Sequence, residues 1–224
     1  MGGLLEDRLV CPICQKRKAK RFCPAKGENI CSVCCGTERE VTIACPSDCP
    51  HLVASRAYDW QRRQQADSVD WSQGPFPETR LDRDWITTHA ELVSALSYAI
   101  CLFARDHRPL VDSDVIAVLK SLAETYRTLS TGIYYEKLPD YRLQTELYQA
   151  LQTALTDFKK KQAQAMMSSV RDSEVRDVLM SMAQLGYVRQ NGRPKGRAFL
   201  DMLRGQFTSP ELEKPAASNV LILP

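Results

Sequence analysis

A small cross-brace, treble-clef-like module followed by an all-α helical bundle is the fold class that this 224-residue chain predicts. Three observations carry that reading. Eight of the nine cysteines lie between Cys11 and Cys49. From Asp84 onward, apolar residues recur at three- and four-residue steps, the period of an amphipathic helix. Beyond the cysteines, no stretch alternates with the two-residue period of a strand.

The cysteines come as Cys11-x2-Cys14, a lone Cys23, Cys31-x2-Cys34 with Cys35 adjoining, and Cys45-x3-Cys49 with His51 just beyond. A Cys-x2-Cys knuckle turns two thiolates toward one ion, and two knuckles complete a four-sulfur tetrahedral shell around Zn²⁺. Disulfides and an iron-sulfur cluster are the competing readings. A disulfide framework belongs to short secreted chains, whereas here only Cys101 follows the cysteine block in a much longer remainder. The first residues, Met1 to Arg8, carry Glu6 and Asp7 where a secretory leader carries bases, and no long apolar run follows. Cytoplasmic residence is the expectation. No run approaches the roughly 18 apolar residues of a membrane span; the nearest, Ala95 to Ala104, is interrupted by Ser97.

Residues 8–51 form the zinc module, punctuated by Cys11-Pro12, Cys23-Pro24, Cys35-Gly36 and Cys45-Pro46. Its predicted core is Val10, Ile13, Phe22, Ile30, Val33, Val41 and Ile43. So few apolar residues cannot hold the module unaided, so each structural zinc supplies on the order of 10 kcal/mol toward folding. The interleaved knuckles predict two zinc ions in a cross-brace, with Cys11, Cys14, Cys31 and Cys34 at the first. The second takes Cys23, Cys35, Cys45 and Cys49, with His51 as the alternative to Cys35. Otherwise His51 is a surface residue, and Cys101 is a packing residue of an apolar helix.

A connecting helix is expected over 52–66, presenting Leu52, Val53, Ala57 and Trp60. Residues 67–81, with Gly74-Pro75-Phe76-Pro77, read as a linker because proline lacks the N–H donor and restrains its predecessor. The bundle spans 82–207. Asp84 caps a helix running to about His107, with Trp85, Leu92, Leu96, Ala99, Ile100 and Phe103 on one side. Asp112 caps the next, carrying Ile116, Leu119, Ala123, Tyr126 and Leu129 and stopping at Gly132. A third starts near Asp140 with Leu143, Leu147, Leu151, Ala154, Leu155 and Phe158, and a fourth covers about Ser173 to Arg189 with Val175, Val178, Leu179, Met182 and Leu185. Gly196 to Gln206 forms a short fifth. A bundle buries all these stripes. Residues 208–224 read as a flexible tail whose apolar end, Val220-Leu221-Ile222-Leu223, either covers a groove of its own bundle or docks on a partner.

The order Cys11-x2-Cys14, Arg21-Phe22-Cys23-Pro24, Ile30-Cys31-Ser32-Val33-Cys34 resembles HIT-type zinc fingers and, more loosely, B-box modules, over residues 11–51 only. The chain has Ala25 and Lys26 where HIT fingers place a further cysteine, and Cys45 where they place a late histidine. The resemblance implies a rigid surface for protein contacts, often in assemblies that handle nucleic acid, and no catalysis.

Composition is that of an ordinary globular protein, and a formal net charge of +3 names no partner. Charge is concentrated locally instead. Lys16, Arg17, Lys18, Lys20 and Arg21 sit within six residues without an acid, and each phosphate they neutralise adds salt-dependent affinity. The bland reading is a solvated loop. A second cluster, Arg189 with Gly192-Arg193-Pro194-Lys195-Gly196-Arg197, looks like an AT-hook, but an amphipathic pattern resumes at Ala198 and favours a turn between two helices. Arg193, Lys195 and Arg197 remain candidate phosphate contacts.

His51, His89 and His107 form no metalloprotease pair, and the chain has no Gly-x-Ser-x-Gly elbow and no P-loop. Sites closed by four sulfurs keep no position open for a catalytic water. The expectation is therefore a non-enzymatic zinc-binding regulatory or assembly protein that contacts nucleic acid through the basic loop. The alternative is a protein-protein interaction adaptor using the zinc module and the bundle. No small-molecule substrate and no membrane partner are indicated.

Overall fold

The computed structural model describes residues 10–65, 83–132, 135–166, 168–208 and 210–213. The linker 67–81, the apolar tip Val220 to Leu223 and the side chains of Trp60 and Trp85 lie outside the described residues. Two compact units emerge: residues 1–69 with 192–196, and residues 70–191 with 197–224.

In the first unit, strands β1 (Arg21–Cys23) and β2 (Glu28–Ile30) form an antiparallel hairpin, with Arg21 opposite Ile30, Phe22 opposite Asn29 and Cys23 opposite Glu28. Gly27, with φ of 68°, makes the left-handed turn between them. Helix α1 (Ser32–Glu38) follows at once, and helix α2 (Pro50–Gln65) starts directly after Cys49. Proline suits that first helical position because its missing N–H would have no intrahelical partner there.

The core of this unit is made of sulfur as much as hydrocarbon: Cys11, Cys23, Cys31, Cys34 and Cys35 bury with Ala19, Ile30 and Ile43. Of the seven residues predicted for the core, two are buried, Ile13 is partly buried and four are exposed. Ile30 and Ile43 are buried, but Val10, Phe22, Val33 and Val41 are exposed. Neighbouring strand residues point to opposite faces, so when Cys23 turns inward Phe22 must turn outward. Along α1, Cys34 and Cys35 take the inward face and leave Val33 outside.

The segment 192–196 completes the first unit by satisfying backbone carbonyls of the α1 region. Arg193 donates from Nη1 to the Gly36 oxygen at 3.2 Å and to the Arg39 oxygen. A cation at a helix C-terminus meets both the orphan carbonyls and the negative end of the dipole. The Lys195 N–H donates to the Glu40 oxygen at 2.8 Å and its Nζ to the Thr42 oxygen at 2.6 Å. A Gly196 N–H to Arg193 oxygen bond of 2.9 Å closes a turn with Pro194 second in it, where its fixed φ fits. The Gly-Arg-Pro run is a turn, and its bases bond to the chain itself. Glu40, only 1% exposed, is held by Arg56 of α2 at 2.6 Å.

The second unit is mostly helical: α3 (Arg83–Thr88), α4 (Ala90–Asp106), α5 (Asp112–Ser130), α6 (Arg142–Gln164), α7 (Asp172–Arg189), α8 (Ala198–Arg204) and α9 (Pro210–Glu213). Its core is built from the expected stripes, including Leu92, Leu96 and Ile100 of α4, Leu119 and Leu122 of α5, Leu147, Leu151 and Leu155 of α6, and Val175, Val178 and Leu179 of α7. Helices α5 and α7 pack most extensively. Tyr148, fully buried, shares a 2.8 Å hydroxyl contact with buried Thr125.

Three details depart from the sequence reading. The helix expected from Asp84 to His107 is broken at His89, which separates α3 from α4; Thr88 Oγ1 bonds back to the Asp84 carbonyl at 2.9 Å at the end of α3. Asp112, expected to cap its own helix, instead accepts from the backbone N–H groups of Phe199 and Leu200, both at 3.0 Å, at the start of α8. The cap of α5 is supplied by Asp114, whose carboxylate accepts from the Val111 N–H at 3.2 Å. Finally, Pro210–Glu213 is helical rather than irregular: Leu212 is buried, the Glu211 carboxylate accepts from the Tyr98 hydroxyl at 2.6 Å, and the Glu211 carbonyl accepts from Arg105 at 2.7 Å.

Candidate metal centre

Cys11, Cys14, Cys31 and Cys34 bring their sulfurs within 4.8 Å of one another. Two local devices assemble them. In the first, the chain reverses after Cys14: the Gln15 N–H reaches the Cys11 oxygen at 2.8 Å, Gln15 adopts φ of 51°, and the Cys11 N–H closes on the Arg17 oxygen at 2.8 Å. That tight turn aims Cys11 and Cys14 the same way. In the second, Cys31 occupies the N-cap of α1 in extended geometry, and its sulfur accepts from the Cys34 N–H at 3.3 Å. Three-residue spacing on a helix start puts both sulfurs on one side.

The sulfur of Cys14 lies 3.9 Å from that of Cys31. A regular tetrahedron of Zn–S bonds near 2.3 Å has edges of about 3.8 Å, so the four thiols fit one zinc ion. All-sulfur tetrahedral coordination suits zinc chemically. Zinc held there has its shell closed by protein and would act structurally.

The electrostatics point the same way. The Lys16 N–H aimed at its sulfur holds the Cys14 thiol down at about 6, against the effect of burial and with the help of the Arg17 N–H. Burial works to raise Cys11, but N–H groups of Cys31, Cys14 and Ile13 outweigh it and leave that thiol below its ordinary value. Cys34 is pushed up to about 12, by burial first and then by the sulfurs of Cys31, Cys14 and Cys11. The cluster favours some thiolate yet resists full ionisation. A divalent cation resolves that conflict.

Among the described residues, no second set of three or more possible ligands closes to the same distance. Cys23, Cys35 and Cys49 are buried and Cys45 partly so. Burial raises the Cys45 thiol, and the charges of Cys49 and Cys23 add to the effect. The Cys35 sulfur accepts from Arg39 Nη2 at 3.6 Å. His51 sits half-exposed in the first turn of α2. Cys101 is buried in α4, where burial pushes its thiol up to about 11.

The basic loop lies between the first knuckle and β1. Lys16, Arg17, Lys18 and Lys20 are exposed and Arg21 half-exposed, and none makes a side-chain hydrogen bond or ion pair within the described residues. Arg197, by contrast, donates to the Arg108 carbonyl at 3.1 Å. What sequence reading missed is Phe22, 58% exposed in the same region, because its apolar character suggested core.

No family model, no curated protein and no solved structure matches the chain. Among the described residues, no helix is long and apolar enough to cross a membrane.

Proposed function

We propose that this is a non-enzymatic, zinc-dependent regulatory or assembly protein whose basic zinc-module loop contacts nucleic acid. The observation that carries this reading is the loop itself: five bases in six residues, four of them exposed and Arg21 half-exposed, running from the Cys14 knuckle of a four-sulfur cluster into strand β1. Unneutralised bases on a stiff support are what phosphate binding needs, since each contact releases counterions. Arg193, Lys195 and Arg197 contribute less, because they already donate to carbonyls of their own chain.

The order of knuckle, hairpin and helix supports a treble-clef-like module. A full cross-brace needs a second zinc on Cys23, Cys45 and Cys49 with Cys35 or His51. Metal analysis giving two zinc ions per chain rather than one is the check.

Replacing Lys16, Arg17, Lys18, Lys20 and Arg21 together by alanine is expected to abolish retention on nucleic acid at low salt while zinc content stays at the wild-type level. Wild-type protein that ignores heparin and nucleic acid at low salt would instead favour the adaptor reading. Exposed Val33 and Val41 on the same module are the feature in favour of that second reading.

A further inference from the structure

We infer that Phe22 is a base-stacking platform and that the nucleic acid taken by this module is single-stranded. The inference rests on the proposed nucleic-acid reading and deepens it. Its starting point is a regular alternation along 18–23: Lys18 exposed, Ala19 buried, Lys20 exposed, Arg21 partly buried, Phe22 exposed, Cys23 buried. Side chains two residues apart in extended chain share a face, so Lys18, Lys20 and Phe22 line the outer side of β1 and its approach, about 7 Å from one to the next. The backbone there is fixed by pairing, with Val10 bridged to Lys18, the Lys20 N–H on the Ile30 oxygen at 3.1 Å, and Phe22 opposite Asn29.

Phe22 belongs to a module with few large apolar side chains, yet its ring is turned to solvent at 58% exposure. Val10, also exposed, flanks the same face at the Lys18 end. An aromatic ring in line with two lysines on a flat face offers one surface for a base and cations for the phosphates on either side. Charge selects this occupant over an apolar protein surface: no acid occurs from Arg8 to Gly27, and the loop bases have no ion-pair partner among the described residues. Duplex shields its bases by stacking them on each other. A single strand leaves a base face free for Phe22, and Asn29 across the hairpin can donate to or accept from that base's edge.

The test uses full-length, zinc-loaded protein and fluorescence anisotropy with short labelled oligo(dT), oligo(rU) and a duplex of equal length. Single strands are expected to bind more tightly than duplex, with the two single-stranded arms telling DNA from RNA. Phe22→Ala and Phe22→Leu should each weaken single-strand binding by roughly 5- to 100-fold. Phe22→Trp should restore it. The slope of log K against log salt should stay unchanged in the Phe22 variants and fall in a Lys18→Ala, Lys20→Ala variant. Wild-type-like binding by Phe22→Leu, or equal affinity for duplex, overturns the stacking role. If the Phe22 variants bind like wild type while the five-base alanine variant does not bind, stacking fails and the phosphate-contact reading survives. If wild type ignores all three probes at low salt, both fail.

Discussion

Asp112 shows how much one buried carboxylate can hold in place. Only 2% exposed, it takes two N–H groups at the start of α8, and an ionised acceptor makes each of those bonds stronger than a neutral one. Asp112→Ala strands both donors in the interior. The expected loss is about 3 kcal/mol, read as a lower urea midpoint for helical circular dichroism in the zinc-loaded protein. The sequence assigns Asp112 as the cap of the helix that follows it, whereas its carboxylate serves the start of α8. A capping preference is a local signal, whereas the partner lies far along the chain, and nothing in the local sequence separates the two uses. Phe22 was misread for a related reason. Hydrophobicity says that a side chain gains by burial, but only the pairing of the strand decides which of Phe22 and Cys23 turns inward.

At the scale of elements, the helices of the second unit were legible because their apolar stripes run for several turns at one period. Their breaks were less so. The interruption at His89 leaves the apolar period intact, so the stripe gives no sign of it. Gly186 inside α7 carries a consequence of its own. A Cβ there would lie 2.9 Å from Ile116 Cγ1 and 2.9 Å from Phe199 Cε1, so the glycine lets α7 come close to α5 and α8. Alanine ordinarily stabilises a helix interior relative to glycine by up to about 1 kcal/mol. Here the clash should reverse the sign, so that Gly186→Ala destabilises the unit by about 1–3 kcal/mol in a denaturation measurement. A more stable variant would show that the helices can move apart at little cost.

For the whole molecule, the division into a sulfur-rich unit and a helical unit was readable from where the cysteines stop and the helical period begins. The membership of 192–196 in the first unit was not. Its Gly-Arg-Pro run carries a turn signal, but the carbonyls it caps, those of Gly36, Arg39 and Thr42, are distant in sequence. The clustering of Cys11, Cys14, Cys31 and Cys34 was legible, since knuckle spacing is a covalent constraint. Spacing could not show that Cys35 would face Arg39. The two units rest on different physics. The helical unit has a continuous hydrocarbon core, whereas the first unit centres on four clustered cysteine sulfurs that could hold one metal ion.

Hydrogen exchange before and after complete metal removal under reducing conditions, with the bound metal counted first, tests that difference most directly. The prediction is zinc bound at Cys11, Cys14, Cys31 and Cys34, loss of protection across residues 10–49 when it is stripped, and retained protection in the cores of α4, α5, α6 and α7. Residues 10–49 keeping full protection without metal would contradict the account.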